Sequence, residues 1–513
     1  MKTPTSTTNG VCVKCGSGPE AETFDWDVLS SPYRNLLETN DPPPDRDVPH
    51  LRSVIAEGRA HVARLDKRIA SLKAEFHRIL PERNKLVQNV GRFASIISPL
   101  RGGMPEELLS NIFLTEVSDV DADTPVEHAI MVTRRVFGFV QVCRHWRSIA
   151  LSLPRLWSVL AVDFNSAIWD AAEVSVQQLE TQLQRSGKHP LTVLFRSCEH
   201  GYERNQTYAL ELVMRQSWRW EAAALYISPH LLLQLAGLKG RLPHLNSLRI
   251  EIVGDTPEAY TSSAFEVAPH LQNVYWRHNL VSNLSSATFP SSQLLRYRGV
   301  NTWDGHLKIL RSASQLDVCA LILYDEEGAS PDFDAYIPRL RYLFVSNVHF
   351  LYRLETPALQ ELTVLKDLSP VLSLLRRSSC QLKKLVCYAC GEVAVLATIL
   401  ESAPSITDIA IQIVSEDPGA FISRLARHDG FCGPNLESIS LDVGLSRSPN
   451  ESIFLNAVEA RWRGGKLRSA TLFTRNLLLA NTQRRIQALN AQGFDLTISN
   501  GYMRWVPEAF GLR

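Results

Sequence analysis

Pro357-Ala358-Leu359-Gln360-Glu361-Leu362-Thr363-Val364 and Pro434-Asn435-Leu436-Glu437-Ser438-Ile439-Ser440-Leu441 are two copies of one phrase. A small or polar residue, often proline, is followed by L-x-x-L-x-L or a close variant. The phrase recurs at Pro243–Ile250, Pro269–Val274, Pro338–Leu343, Cys380–Leu385 and Pro404–Ile411, with weaker copies starting at Ala222, Leu294, Leu316 and Leu467. The anchors are Ala222, Leu245, Leu271, Leu294, Leu316, Leu340, Leu359, Leu382, Ile406, Leu436 and Leu467, spaced by 23, 26, 23, 22, 24, 19, 23, 24, 30 and 31 residues. A unit this short cannot bury its leucines alone, whereas stacked units share one continuous core.

A period of about 20–29 residues, with a strand in the L-x-L part and a returning arch behind it, is that of a leucine-rich-repeat solenoid. A generic α/β domain with leucine-rich strands leaves the regular spacing unexplained. The leucines of such phrases are core and say nothing about a ligand. The informative positions are the strand residues between them: Arg249, Tyr275, Arg298, Arg341, Glu361, Lys383 and Glu437 are the candidate substrate-facing residues. Their mixed charge matches no single ligand class.

Outward from the repeats, 513 residues suffice for about three domains or one long array. Lys and Arg number 54 against 53 Asp and Glu, so no global field favours nucleic acid or anionic lipid as a partner. The best apolar stretch, Leu225 to Leu238, is broken by Ser228, Pro229, His230 and Gln234, which argues against a membrane span. The nine cysteines are odd in number and scattered, unlike a disulfide scaffold. A cytoplasmic or nuclear location is expected.

Residues 51–93 carry a heptad. With Ile55 at an a position, the a and d sites read Ile55, Gly58, Val62, Leu65, Ile69, Leu72, Phe76, Ile79, Arg83, Leu86, Val90 and Phe93, ten of the twelve apolar. A seam this narrow suits one partner helix in a coiled coil, hence self-association through 55–93. It equally suits an amphipathic helix folded back on its own domain. Pro81 is expected to interrupt the helix, because it lacks a donor and clashes with the preceding turn.

Residues 99–163 read as a compact helical block. Pro105-Glu106-Glu107 suits a first helical turn; Leu108, Leu109, Ile112 and Phe113 follow on one face, and a second helical run starts near Val126 and ends near Pro154. The acidic linker Asp119–Pro125 fails as a calcium loop, because Thr124 and Ile130 stand where glycine and glutamate are required.

This block resembles an F-box, and the whole layout resembles the leucine-rich-repeat F-box proteins abundant in mushroom-forming fungi. Met104-Pro105-Glu106-Glu107-Leu108-Leu109-Ser110-Asn111-Ile112-Phe113, Val142-Cys143-Arg144-His145-Trp146-Arg147-Ser148-Ile149-Ala150 and Leu153-Pro154-Arg155-Leu156-Trp157 carry the resemblance, with Gln184–Val193 resembling the entry into the repeats. Met104 for leucine, Gly102-Gly103 ahead of the helix and a long acidic linker depart from the pattern. The resemblance implies a module that docks the Skp adaptor of a Skp–cullin–F-box ubiquitin ligase, with Pro105, Leu108, Ile112, Phe113, Val142 and Trp146 among the adaptor contacts and a protein substrate held by the repeats.

Searches for chemistry find little. There is no P-loop, H-E-x-x-H, G-x-S-x-G or kinase signature. The C-x-x-C pairs Cys12/Cys15 and Cys387/Cys390 lie in different contexts and do not make a shared zinc site. No catalytic residue, metal or cofactor is therefore expected. The expected fold is α/β: a disordered tail (1–47), a coiled-coil helix (48–98), a small all-α F-box-like module (99–163), a leucine-rich-repeat-like solenoid (164–480) and a C-terminal cap (481–513) including Trp505 and Phe510. The expected function is a non-catalytic substrate receptor; the alternative is a ligase-independent interaction scaffold built on the helix and solenoid.

Overall fold

The computed structural model describes residues 33–39, 42–97, 104–165, 172–198, 203–254, 261–278, 286–323, 334–414, 418–426, 432–443, 451–475, 480–501 and 503. Most of the expected tail (1–32), with Cys12 and Cys15, and Gly102, Gly103, Trp505 and Phe510 lie outside the described residues. The chain divides into two compact units, Met1–Met104 and Pro105–Arg513.

In the first unit, Arg34–Glu38 forms a short helix within the segment expected to be a tail. One helix, α1, then runs from Val48 to Ile96. It continues through Pro81, contrary to the expected interruption. Proline takes the f position, opposite the seam, so the His77 carbonyl it leaves without a donor faces water rather than an apolar neighbour. The ten apolar a and d side chains are exposed, from Ile79 at 44% to Phe93 at 72%, while Gly58 is buried.

The second unit is mixed α/β. It begins with α2 (Glu106–Ser118), α3 (Val126–Val142) and α4 (Arg144–Ser152). The helical run expected to start near Val126 is broken at Cys143, whose extended backbone ends α3 and whose Sγ accepts the Trp146 N–H at 3.5 Å to cap α4. A tight turn, Pro154–Trp157, leads into the sheet.

Among the described residues, fourteen strands form one sheet in strictly sequential order. They are β1 Val159–Asp163, β2 Leu191–Arg196, β3 Trp220–Ile227, β4 Ser247–Ile252, β5 Asn273–His278, β6 Arg296–Asn301 and β7 Val318–Leu323. There follow β8 Tyr342–Val345, β9 Glu361–Leu365, β10 Lys384–Cys390, β11 Asp408–Ile413, β12 Ser438–Asp442, β13 Ser469–Thr474 and β14 Asp495–Asn500. Every neighbouring pair is parallel. Parallel neighbours need a crossover, and the returning segments supply it, several as helices such as Ser369–Ser378, Val393–Ser402 and Glu451–Arg463.

Register explains the phrase. The ten anchors from Leu245 to Leu467 each stand two residues before the first residue of a strand, and all are buried. The residue three before the anchor accepts its N–H: Ala268 from Leu271, Ile337 from Leu340, Thr356 from Leu359, Ala403 from Ile406 and Gly433 from Leu436, at 3.1–3.4 Å. This β-turn has proline at its second position, where a fixed φ is an advantage. Where the proline recurs it presets the turn that drives the anchor into the core; Leu294 and Leu316 make the same bond, to Ser291 and Ala313, without it. In the row that follows, Leu248, Val274, Tyr297, Cys319, Leu343, Leu362, Leu385, Ile409, Ile439, Ala470 and Leu496 align across the sheet and pack inward.

Three boundaries are corrected. Ala222 pairs with Ser247, so the counterpart of Leu245 in that unit is the fully buried Trp220. A tryptophan where leucine is expected hid the equivalence. The sheet also starts at Val159, inside the segment assigned to the helical module, and two strands precede the first anchor. It ends at Asn500, inside the segment assigned to a cap. The edges escape the phrase because Trp157, Pro190, Trp220 and Gly493 stand where its first leucine is expected, although Leu160, Leu191, Leu194 and Leu496 are buried there.

Candidate functional site

The helical segment at the head of the second unit sorts its apolar residues into two layers. Leu109, Phe113 and Val117 point inward from α2. Phe113 is fully buried, its ring stacked 4.4 Å from Phe139 and edge-on to Trp146 at 5.0 Å. Leu108 and Ile112, one turn apart, point outward and are 54% and 48% exposed. The single face expected for these four residues is therefore two adjacent faces, one core and one solvent-facing. Pro105 and Val142 are exposed and Trp146 is half-buried. Of the six residues expected at an adaptor contact, Pro105, Leu108, Ile112 and Val142 lie on the surface, Phe113 belongs to the core, and Trp146 bridges core and surface. Isolated exposed apolar residues are ordinary, but a large aliphatic pair at i and i+4 of one helix is the spacing of helical docking anchors.

The segment is anchored to the sheet rather than tethered to it. Trp157 is fully buried, its Nε1–H donates to the Ala150 carbonyl (2.8 Å), and the Arg185 guanidinium lies 4.3 Å from its ring centre. Arg196 of β2 reaches Glu127 of α3 at 2.6 Å and Asp163 of β1 at 3.5 Å. Its hydrogen bond holds the Glu127 carboxyl below its ordinary range, while burial pushes that of Asp163 up.

The acidic linker supplies the second anchor. Asp123 Oδ2 accepts from Arg298 at 2.6 Å and its Oδ1 from Arg249 at 3.4 Å. Arg249 also donates twice to Glu251 (2.9 and 2.6 Å) and lies 4.1 Å over the Tyr275 ring, with Arg298 5.6 Å from the same ring. Burial works against the Arg249 charge, but the neighbouring Tyr226 hydroxyl and Glu251 carboxylate keep its pKa above the ordinary value. Burial raises the Tyr275 phenol.

Arg249 and Arg298 hold the linker of their own chain and Tyr275 is buried beside them, which corrects the substrate-facing set there, although Arg298 still lines the pocket beside the linker. The three occupy one register row across β4, β5 and β6, and the linker docks on that row. A cation–aromatic row in a strand looks the same in sequence whether its partner is another protein or a distant aspartate of the same chain. Nothing in the sequence of the acidic linker marks Asp123 for this role.

Of the other four candidates, Glu361 opens β9, whereas Arg341, Lys383 and Glu437 each stand one residue before a strand rather than within one as expected. Arg341 is exposed and binds Asp317 through both carboxylate oxygens. Glu361 pairs with Lys384 at 3.6 Å, and Glu437 with Arg468 at 3.3 Å. Lys383 is exposed and its side chain has no ion pair or hydrogen bond among the described residues. Ion pairs at the starts of neighbouring strands link Arg341, Glu361 and Glu437, so with Lys383 they present a polar surface of alternating sign.

A polar pocket of about 420 Å³ opens beside the Asp123 clamp, with Asp121, Arg155, His189, Glu221, Asn246 and Arg296 in its wall. Sequence reasoning missed it, because its residues come from the linker, the turn after α4 and several strands. Its lining mixes both charges with amides, a chemistry suited to a polar peptide rather than an apolar small molecule.

Among the described residues no group of three or more His, Cys, Asp or Glu is placed to hold a metal ion, and no helix is long and apolar enough to cross a membrane. Cys387 and Cys390 are buried in β10. In comparisons with known proteins the chain matches no family model and no curated protein.

Proposed function

We propose that the chain is a non-catalytic substrate receptor of a Skp–cullin–F-box ubiquitin ligase. In this reading residues 105–157 are an F-box-like module that docks the Skp adaptor. The parallel sheet and its returning segments are a leucine-rich-repeat solenoid that holds a protein substrate. The observation that carries the reading is the outward pair Leu108 and Ile112 on the helix whose buried Phe113 packs against the half-buried Phe139 and Trp146, within the block that resembles an F-box. Exposed aliphatic anchors on a helix held in place by its own aromatic core are what a helical docking interface requires, each central anchor contributing about 2 kcal/mol or more.

The mechanism is proximity. The receptor raises the local concentration of a substrate lysine near a ubiquitin-conjugating enzyme carried elsewhere in the assembly. The direct attachment of the module to the sheet supports this, because a fixed join limits where a bound substrate sits. Substrate contacts are assigned to Arg341, Glu361, Lys383, Glu437 and the pocket at Arg155 and Arg296. The assay is co-purification of the full chain with a Skp adaptor; a well-folded chain that does not co-purify refutes the reading.

The second reading, a ligase-independent scaffold, draws on the exposed seam of α1. Self-association with no adaptor binding favours it.

A further inference from the structure

We propose that α1 pairs with α1 of a second copy of this chain, antiparallel, about a two-fold axis passing between Ala70 and Ser71. The inference does not depend on the adaptor reading. Its starting observation is a 49-residue helix whose a and d side chains from Ile55 to Phe93 are exposed, Gly58 apart. The charges beside that seam say which partner and which direction fit.

Parallel pairing sets each a or d residue against its own copy. Arg83 would then face Arg83 within the seam and Gly58 would face Gly58, leaving a like-charge contact and a gap. The flanking g and e positions would place Arg68 beside Lys73 of the second copy, a further repulsion.

Antiparallel pairing instead faces a positions with d positions. About the stated axis Ile69 meets Leu72, Leu65 meets Phe76, Val62 meets Ile79, Ile55 meets Leu86 and Leu51 meets Val90. Gly58, which is buried within its own chain, meets Arg83, whose stem can lie along the seam with its head in water. On the flanks, e faces e and g faces g. Asp66 lies beside Lys73 of the second copy, Arg68 beside Glu75 and His61 beside Glu82, each contact occurring twice by symmetry. No like charges meet.

The register is specified too. Moving the axis to Ala74 puts Glu75 against Glu75 and Lys73 against Lys73. Moving it to Lys67 puts Arg68 against Arg68 and Asp66 against Asp66. In the single chain Asp66 and Lys73 make no ion pair or hydrogen bond with the described residues, while Glu75 holds Arg78 at 2.8 Å within the helix. Asp66 and Lys73 are therefore the clean probes.

The experiment is sedimentation equilibrium of the full chain and two variants, with far-ultraviolet circular dichroism to confirm equal helix content. The wild type is expected to dimerise. Lys73→Asp sets a carboxylate against Asp66 of the other copy, twice by symmetry, and is expected to weaken the dimer about tenfold. Adding Asp66→Lys to that variant restores the attraction and the affinity. Parallel pairing predicts the opposite sign for Lys73→Asp, because the introduced carboxylate would then sit beside Arg68. A monomeric wild type, a tighter Lys73→Asp dimer, or a weakened one that Asp66→Lys leaves unrestored overturns the proposal.

Discussion

His306 provides a quantitative test of the sheet's interior. It is fully buried between β6 and β7, where the Tyr297 hydroxyl donates to its Nδ1 (3.2 Å) and its Nε2–H donates to the Ile322 carbonyl (3.0 Å). Both ring nitrogens are thereby used by the neutral form. Burial lowers its pKa from 6.5 to about 4. Below pH 6.5 the unfolded chain takes up a proton at this ring that the folded chain refuses until about pH 4, so stability falls as pH falls through that window. Linkage gives a loss of about 2 kcal/mol between pH 7 and pH 5 from this one group. The perturbation is His306→Phe, which keeps a ring against Phe350 and removes the titration. The variant starts less stable at pH 7, by roughly 1–3 kcal/mol for the lost hydrogen bonds. Urea unfolding followed by tryptophan fluorescence should then show the gap between the two proteins narrowing by about 2 kcal/mol at pH 5. An equal pH-dependent loss in both would refute the argument that a neutral buried imidazole is required there.

Further consequences concern packing and charge. A Cβ on Gly299 would lie 2.3 Å from Tyr297 Oη, so Gly299→Ala should destabilise the second unit by about 1–3 kcal/mol, whereas Gly391→Ala, with open space around it, should leave the urea midpoint unchanged. Pro81→Ala restores a backbone donor inside α1 and should raise helix stability by up to about 3 kcal/mol, seen as a higher midpoint in the ellipticity melt. Asp123→Ala takes the carboxylate from Arg298 and Arg249; because Asp123 is 41% exposed, the cost should be about 1–2 kcal/mol rather than the larger penalty of a fully buried pair. Faster limited proteolysis of the linker in Asp123→Ala than in wild type checks it.

The parts read correctly from sequence share one property: their signal is local. The aliphatic anchor two residues before a strand, preceded by proline in six of ten cases, is written within eight residues, and all ten such anchors fall where expected. The heptad of α1 is likewise local. What escaped depends on distant groups. Arg249, Tyr275 and Arg298 are internal because Asp123, far away in sequence, reaches them. Trp220 was passed over because the core accepts a large aromatic where the phrase demands leucine. On α2, helical spacing placed Leu108, Leu109, Ile112 and Phe113 together. Only the positions of α3 and α4 decide that Leu109 and Phe113 are covered and Leu108 and Ile112 are not.

The most direct test of the receptor account uses that last distinction. Ile112 is half-exposed, so Ile112→Asp should leave the chain folded, with an unchanged circular dichroism spectrum and melt. Affinity of the full chain for a Skp adaptor, measured by titration calorimetry, should be tight for the wild type and at least about thirtyfold weaker for Ile112→Asp, as expected when a central apolar anchor is replaced by a charge. Equal affinity in the two proteins, or no binding by the folded wild type, would contradict the account.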